Sequence, residues 1–166
     1  MRLKAKVTFK QYLRLLYSLA YEKPVLRLLV AFAFLLLIWI ILSWLDLFNL
    51  PEPLIYQYIT LILILVVQPF MIFYTIYRNY QSSNHLRETL DMRLTDTRIK
   101  IRGESFYMEI LWPRIFKIVE RKRWFLIYQN NLSAIIIPKR GLDESEINEV
   151  REILKGVEGV PLQLNS

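Results

Sequence analysis

The chain has 166 residues, 54% apolar and 14% aromatic, with four glycines and 22% charged residues. That leaves room for one modest domain and a further element, and it is too apolar for a disordered chain and more apolar than an ordinary soluble one. Having no Cys excludes disulfides, thiolate nucleophiles and Cys-based zinc sites; a single His excludes a multi-His metal centre; 22 Lys and Arg against 15 acids give a net charge of +7.

Residues 1–24 read as a basic amphipathic arm with six Lys and Arg. Thr8 is a predicted N-cap for a helix that must stop before Pro24. Phe9, Tyr12, Leu13, Leu16 and Ala20 share one helical face, and Lys10, Gln11, Arg14 and Ser18 lie mostly off it. Two placements stay open: in the headgroup plane of a membrane, or with the apolar face packed on a soluble domain.

Residues 25–80 read as a transmembrane hairpin. Leu28 to Leu45 is eighteen residues without a charge, and Leu54 to Tyr77 is twenty-four. At about 1.5 Å per residue each run covers roughly one hydrocarbon core, and the chain has nothing large enough to bury both. The first run starts too late and is too long for a signal peptide, and no small-residue cleavage site follows it. Trp39, Trp44, Tyr56, Tyr58, Tyr74 and Tyr77 lie near the span ends, where amphipathic rings prefer the interface. The connector Asp46–Pro53 holds Pro51 and Pro53 and reads as a tight turn. It carries no Lys or Arg, whereas basic residues precede the first span and follow the second. The positive-inside rule therefore expects both termini in the cytoplasm of a bacterial inner-membrane, multi-pass protein. Arg27 is expected to snorkel at the cytoplasmic edge. Pro69 predicts a kink, with Gln68 bonding to the freed carbonyl or across to the first span. One Gln and one Pro do not make a transporter, and two spans build no pore without oligomerising; a homo-oligomer stays among the expected assemblies.

After the polar break Gln81–Asn84 the apolar period becomes two. Leu86, Leu90, Met92 and Leu94 alternate with Arg87, Thr89, Asp91 and Arg93. Ile99 and Ile101 follow, then Phe106, Met108 and Ile110. Trp112-Pro113 breaks the run, Phe116 and Ile118 resume it, and Trp124 to Tyr128 return after Arg121-Lys122. Ser133 to Ile137 is a last apolar strand. Asp143 with Glu146 predicts a capping box for a helix bearing Ile147, Val150, Ile153 and Leu154 and ending at Gly156. The expected fold class is thus a membrane α-helical hairpin plus an α+β domain over 84–160. That domain would be a six- to seven-stranded antiparallel pleckstrin-homology-like sheet closed by the C-terminal helix, with a tail at 161–166.

The run from Trp112 to Tyr128, the segment Ala134 to Arg140 and the acid-capped helix resemble the YcxB-like bacterial membrane proteins. The resemblance implies the same order of parts, namely a short arm, a two-span hairpin and this domain, and it implies no activity. Pro113 departs from the family, which commonly has a small polar or acidic residue there.

Little catalytic chemistry is legible. His85 reads as a solvated linker residue, and the glycines fall in no phosphate-loop spacing. Glu144, Glu146 and Glu149 read as partners of the helix dipole and a solvated face. No enzyme, cofactor or metal is expected. The informative polar set is Lys117, Arg121, Lys122, Arg123, Lys139 and Arg140, at strand ends, where they suit the anionic cytoplasmic leaflet or an acidic protein partner. Nucleic acid is not expected, because the region from Arg78 onward is only +3. The function expected is a non-catalytic membrane protein whose cytoplasmic domain binds a protein or the membrane surface; the alternative is an immunity protein that neutralises a toxin acting at the inner membrane.

Overall fold

A computed structural model describes residues 1–131 and 133–164, with His85 described by its backbone only. The chain separates into two compact units, Phe9–Ser82 and the combination of Met1–Thr8 with Ser83–Ser166.

The first unit is helical. Helix α1 spans Phe9–Glu22, α2 Pro24–Trp44, α3 Ile55–Ile62 and α4 Gln68–Ser82. Extended backbone at Lys23 and Pro24 at the helix start separate α1 from α2. Two stretches are long and apolar enough to cross a membrane, Pro24–Trp44 and Ile55–Ser82. Their side chains are mostly exposed, as in Leu28, Leu35, Ile59 and Phe70, which a water-soluble core helix would not tolerate. Between them, left-handed backbone at Asp46, Phe48 and Asn49 reverses the chain. Trp44 Nε1 donates to Tyr58 Oη at 3.0 Å across the two helices. The polar residues early in the second stretch serve its own backbone. Gln57 Oε1 accepts from the Leu54 N–H at 2.7 Å, and Thr60 Oγ1 donates to the Tyr56 carbonyl.

The expected disturbance at Pro69 takes the form of a π-helical turn, Leu63–Val67, between α3 and α4. Proline cannot donate, and a wider turn absorbs the mismatch. Gln68 makes neither of the bonds expected of it, since both its amide atoms are buried without a hydrogen-bond partner. The Pro69 carbonyl instead accepts from Tyr17 Oη of α1 at 2.7 Å.

That bond belongs to a broader contact between α1 and α4. Phe9 meets Phe73, Tyr77 and Tyr80 of α4 edge-on, and Tyr12 lies 5.7 Å from Tyr80 between ring centroids. Aromatic rings at helical spacing on both helices give each a partner.

The second unit contains eight strands among the described residues. Strands β1 Arg2–Ala5, β2 Leu90–Leu94, β3 Arg98–Arg102 and β4 Tyr107–Leu111 form one antiparallel meander in that order. Strands β5 Lys117–Arg121, β6 Trp124–Tyr128 and β7 Ala134–Pro138 form a second meander, and β8 Leu162–Gln163 lies parallel beside β5. Helix α5 Asn84–Arg87 precedes β2, and α6 Glu144–Lys155 follows β7. Alternation does the local work: in β2 and β3, Leu90, Met92, Leu94, Ile99 and Ile101 point inward and Arg93 stays exposed. Trp112-Pro113-Arg114 is a single 3-10 turn, so the break expected at Pro113 is present.

Three expectations about this unit are corrected. One six- to seven-stranded antiparallel sheet is replaced by two four-stranded sheets, one with a parallel edge. Residues 2–5, read as part of the arm, are a strand paired Leu3 with Met92 and fastened by the Arg2–Asp91 ion pair. The C-terminal segment, read as a tail, begins with β8. One apolar cluster nonetheless joins both sheets and the helix, from Leu3 and Met92 through Phe125 and Ile137 to Val150 and Leu154.

Candidate functional site: the basic end of the second sheet

The pairing of β5 with β6 sets Arg121 opposite Trp124, which leaves Lys122 and Arg123 as the two-residue turn. Trp124 in turn pairs with Pro138, and the Lys139 N–H donates to the Arg123 carbonyl at 3.0 Å. The strand ends that carry Arg121, Lys122, Arg123, Lys139 and Arg140 therefore lie together at one end of one sheet. Of the six basic residues singled out in the sequence, five are gathered. Lys117 is not: it pairs with Tyr128 at the other end of β5, its ammonium 4.7 Å from the Tyr128 ring.

The five do not share one environment. Lys122, Arg123 and Arg140 are exposed and Arg121 is half-buried. Lys139 turns inward, 13% exposed, onto Glu120, with its ammonium 4.6 Å from the Phe125 ring. The Glu120 side chain is fully buried. Its carboxylate accepts from Lys139 Nζ and from Arg151 of α6, Nε to Oε2 at 3.1 Å and Nη2 to Oε1 at 2.7 Å. A fork-to-fork guanidinium–carboxylate pair with an added ammonium fills the lone pairs that burial strips of water. Burial alone would push the Glu120 carboxyl up, but the hydrogen bonds from Arg151 and Lys139 and their charges hold it below its ordinary value.

Glu120 and Arg151 were not visible as partners in the sequence. Glu120 reads there as a charge among charges, because its strand KIVER ends in a basic turn. The usable signal is the period: Glu120 shares a face with Ile118, opposite Phe125, and that face is the core face. An acid there needs a basic partner, and Arg151 is one residue after a core position of α6.

The helix start is as expected. The Asp143 carboxylate accepts the Glu146 N–H at 2.7 Å, and Glu146 Oε2 accepts the Asp143 N–H at 3.0 Å. The Glu146 amide holds the Asp143 carboxyl below its usual range. Glu144 and Glu149 are exposed on α6. The side chain of His85 lies outside the described residues. Among the described residues no group of three or more acids or His is placed to hold a metal. The apolar cleft beside Phe106, Met108 and Ile136 holds about 90 Å³, below the roughly 300 Å³ where small-molecule pockets begin.

Comparison with curated proteins and with solved structures gives no match. Comparison with protein families does: the matched segment takes in β3 to β7 and most of α6, and leaves out β1 and the apolar helices. Residues 94–154 match the model of the YcxB-like protein family.

Proposed function

We propose that the chain is a two-span bacterial inner-membrane protein without catalytic chemistry, whose pleckstrin-homology-like domain sits in the cytoplasm and rests its basic sheet end on the anionic leaflet. The order of elements supports the fold reading. A four-stranded meander, a three-stranded meander and a closing helix follow one another, with the apolar hairpin inserted between the first two strands. The parallel β8 is an addition to that layout.

One observation carries the functional reading: strand register gathers Lys122, Arg123 and Arg140 at one exposed end of the sheet, while Lys139 is withdrawn to serve Glu120. The sheet unit is tied to the helical unit by two short chain segments, 6–8 and 83–89, so any contact it makes with the bilayer is intramolecular and favoured by effective concentration. Each basic side chain near an anionic surface contributes about 1 kcal/mol, within a screening length of about 8 Å in physiological salt. Three at one end act together; the same charges spread over the domain would not.

The test uses the full chain in bilayers with and without phosphatidylglycerol. Amide exchange in the Arg121–Trp124 turn is expected to slow in anionic bilayers at low salt. The triple change Lys122→Ala, Arg123→Ala and Arg140→Ala is expected to abolish that slowing without touching the core. Equal exchange in neutral and anionic bilayers sinks the leaflet contact and leaves an acidic protein as the partner to look for.

The spans are checked separately. Because the chain has no Cys, a single Asn49→Cys should react with an impermeant thiol reagent in intact cells, and Asn130→Cys should not. The reverse labelling would overturn the orientation.

A further inference from the structure

Helices α1 and α4 do not close on each other along their whole contact. An open-sided groove of about 400 Å³ runs between them. Its apolar lining is Leu16, Leu19, Ala20, Met71, Ile72 and Ile76, and its polar members are Lys23, Thr75 and Asn79. Thr75 is already used, its hydroxyl donating to the Met71 carbonyl at 2.9 Å. The Lys23 ammonium makes no ion pair among the described residues.

Lys23 also marks the start of α2, where no side chain caps the helix and Pro24 supplies no N–H. The N–H groups of Val25 and Leu26 precede the first intrahelical bond, which runs from Arg27 to the Lys23 carbonyl. Uncapped amides and the positive end of a helix dipole favour an anion there. Nearby in sequence, Arg27 adds positive charge and Glu22 is the one acid between Phe9 and Asp46. An apolar trough that opens beside a cationic, uncapped helix start has the two halves of a phospholipid's chemistry: hydrocarbon below, phosphate above.

We propose that this groove holds one acyl chain of an anionic glycerophospholipid, with the phosphate on Lys23 and the start of α2. The proposal rests on the reading of α2 and α3–α4 as membrane spans and is independent of the sheet's basic end. The apolar lining argues for a lipid over free phosphate, since one wall of the trough, Met71 to Asn79, belongs to the second apolar stretch. Its volume falls within the range that holds small ligands.

The experiment is native mass spectrometry of the full chain released from detergent, with phosphatidylglycerol, phosphatidylcholine or inorganic phosphate added. One phosphatidylglycerol per chain is expected to survive release, with phosphatidylcholine lost and phosphate alone not retained. Lys23→Glu is expected to cut the preference for the anionic lipid about tenfold. Ile72→Trp, which fills the trough and leaves Lys23 in place, is expected to lose both lipids, and Lys23→Arg to keep the preference. Equal retention of both lipids, or retention unchanged in Lys23→Glu and Ile72→Trp, overturns the proposal and leaves unselective annular lipid. Loss caused by the triple change at Lys122, Arg123 and Arg140 also overturns it, because it moves the lipid to the sheet. Failure of the spans themselves reads out in the Asn49→Cys labelling.

Discussion

Replacing Glu120 by alanine is expected to speed amide exchange in β5, β7 and α6 by about two orders of magnitude, against little change in α2. Breaking a buried ion cluster by removing one member costs about 3–5 kcal/mol, because the charges left behind lose their compensation. The lower end applies here. Lys139 is 13% exposed and Arg151 24%, so both can swing toward water once the carboxylate is gone. About 3 kcal/mol corresponds to roughly a hundredfold in an opening equilibrium. Lys139→Ala should cost less, since Arg151 still pairs with Glu120 through two hydrogen bonds. The informative control removes all three charges at once: Glu120→Leu with Lys139→Met and Arg151→Met should sit near the wild type in stability. If the single Glu120→Ala change left exchange in β5 and α6 untouched, the cluster would not couple helix to sheet.

The same cluster sets a direction in pH. Glu120 has its carboxyl held below its ordinary value in the folded chain. Its contribution is therefore complete above the unfolded value of about 4.3 and is lost as pH falls through the lower folded value. Asp91, beside Arg2, and Glu109, beside Tyr107 and Arg98, are held low as well, so acid should loosen both sheets. The share that belongs to Glu120 is the part of that loss missing in Glu120→Gln, measured as exchange in α6 between pH 6 and pH 3.

Legibility divided along the reach of the patterns. Strands β2 to β7 and α6 follow from period two, turn residues and the Asp143–Glu146 cap, all local signals. Strand β1 was not legible because Arg2–Ala5 is four residues long and finds its partner only after the whole helical unit has intervened. No local pattern reports a pairing at that separation. Strand β8 is two residues and pairs in parallel, too short for any period. For α1 the sequence supplied the apolar face correctly and left its partner undetermined, since Phe9 and Tyr12 would suit a headgroup layer as readily as the rings of Tyr77 and Tyr80. At the basic end, sequence placed all six residues at strand ends. Which ends coincide depends on register, which sent Lys117 one way and Lys139 inward.

Truncating Leu154 to alanine should be felt by both sheets together. Leu154 and Val150 are fully buried in the cluster that contains Met92 and Ile99 of the first meander and Phe125 and Ile127 of the second. Aliphatic-to-Ala changes at such sites cost about 2–5 kcal/mol, the transfer free energy of the lost methyls plus the cavity they leave. The cavity here would open where helix and sheets meet, a place that cannot collapse without moving a whole element, so the upper half of that range is expected. Val150→Ala removes less volume and should cost less. Ile147 is only partly buried against the cluster, and Ile147→Ala should cost least. The graded series distinguishes a docked helix from one merely tethered to β7: a tethered α6 would give three equal and small effects. The measurement is thermal unfolding of the full chain in detergent, read by exchange in β3 and β6 as well as in α6. The helices from Phe9 to Ser82 form their own unit, so their amides serve as the internal reference, and a loss of protection there equal to that in the sheets would mean that the two units do not unfold independently.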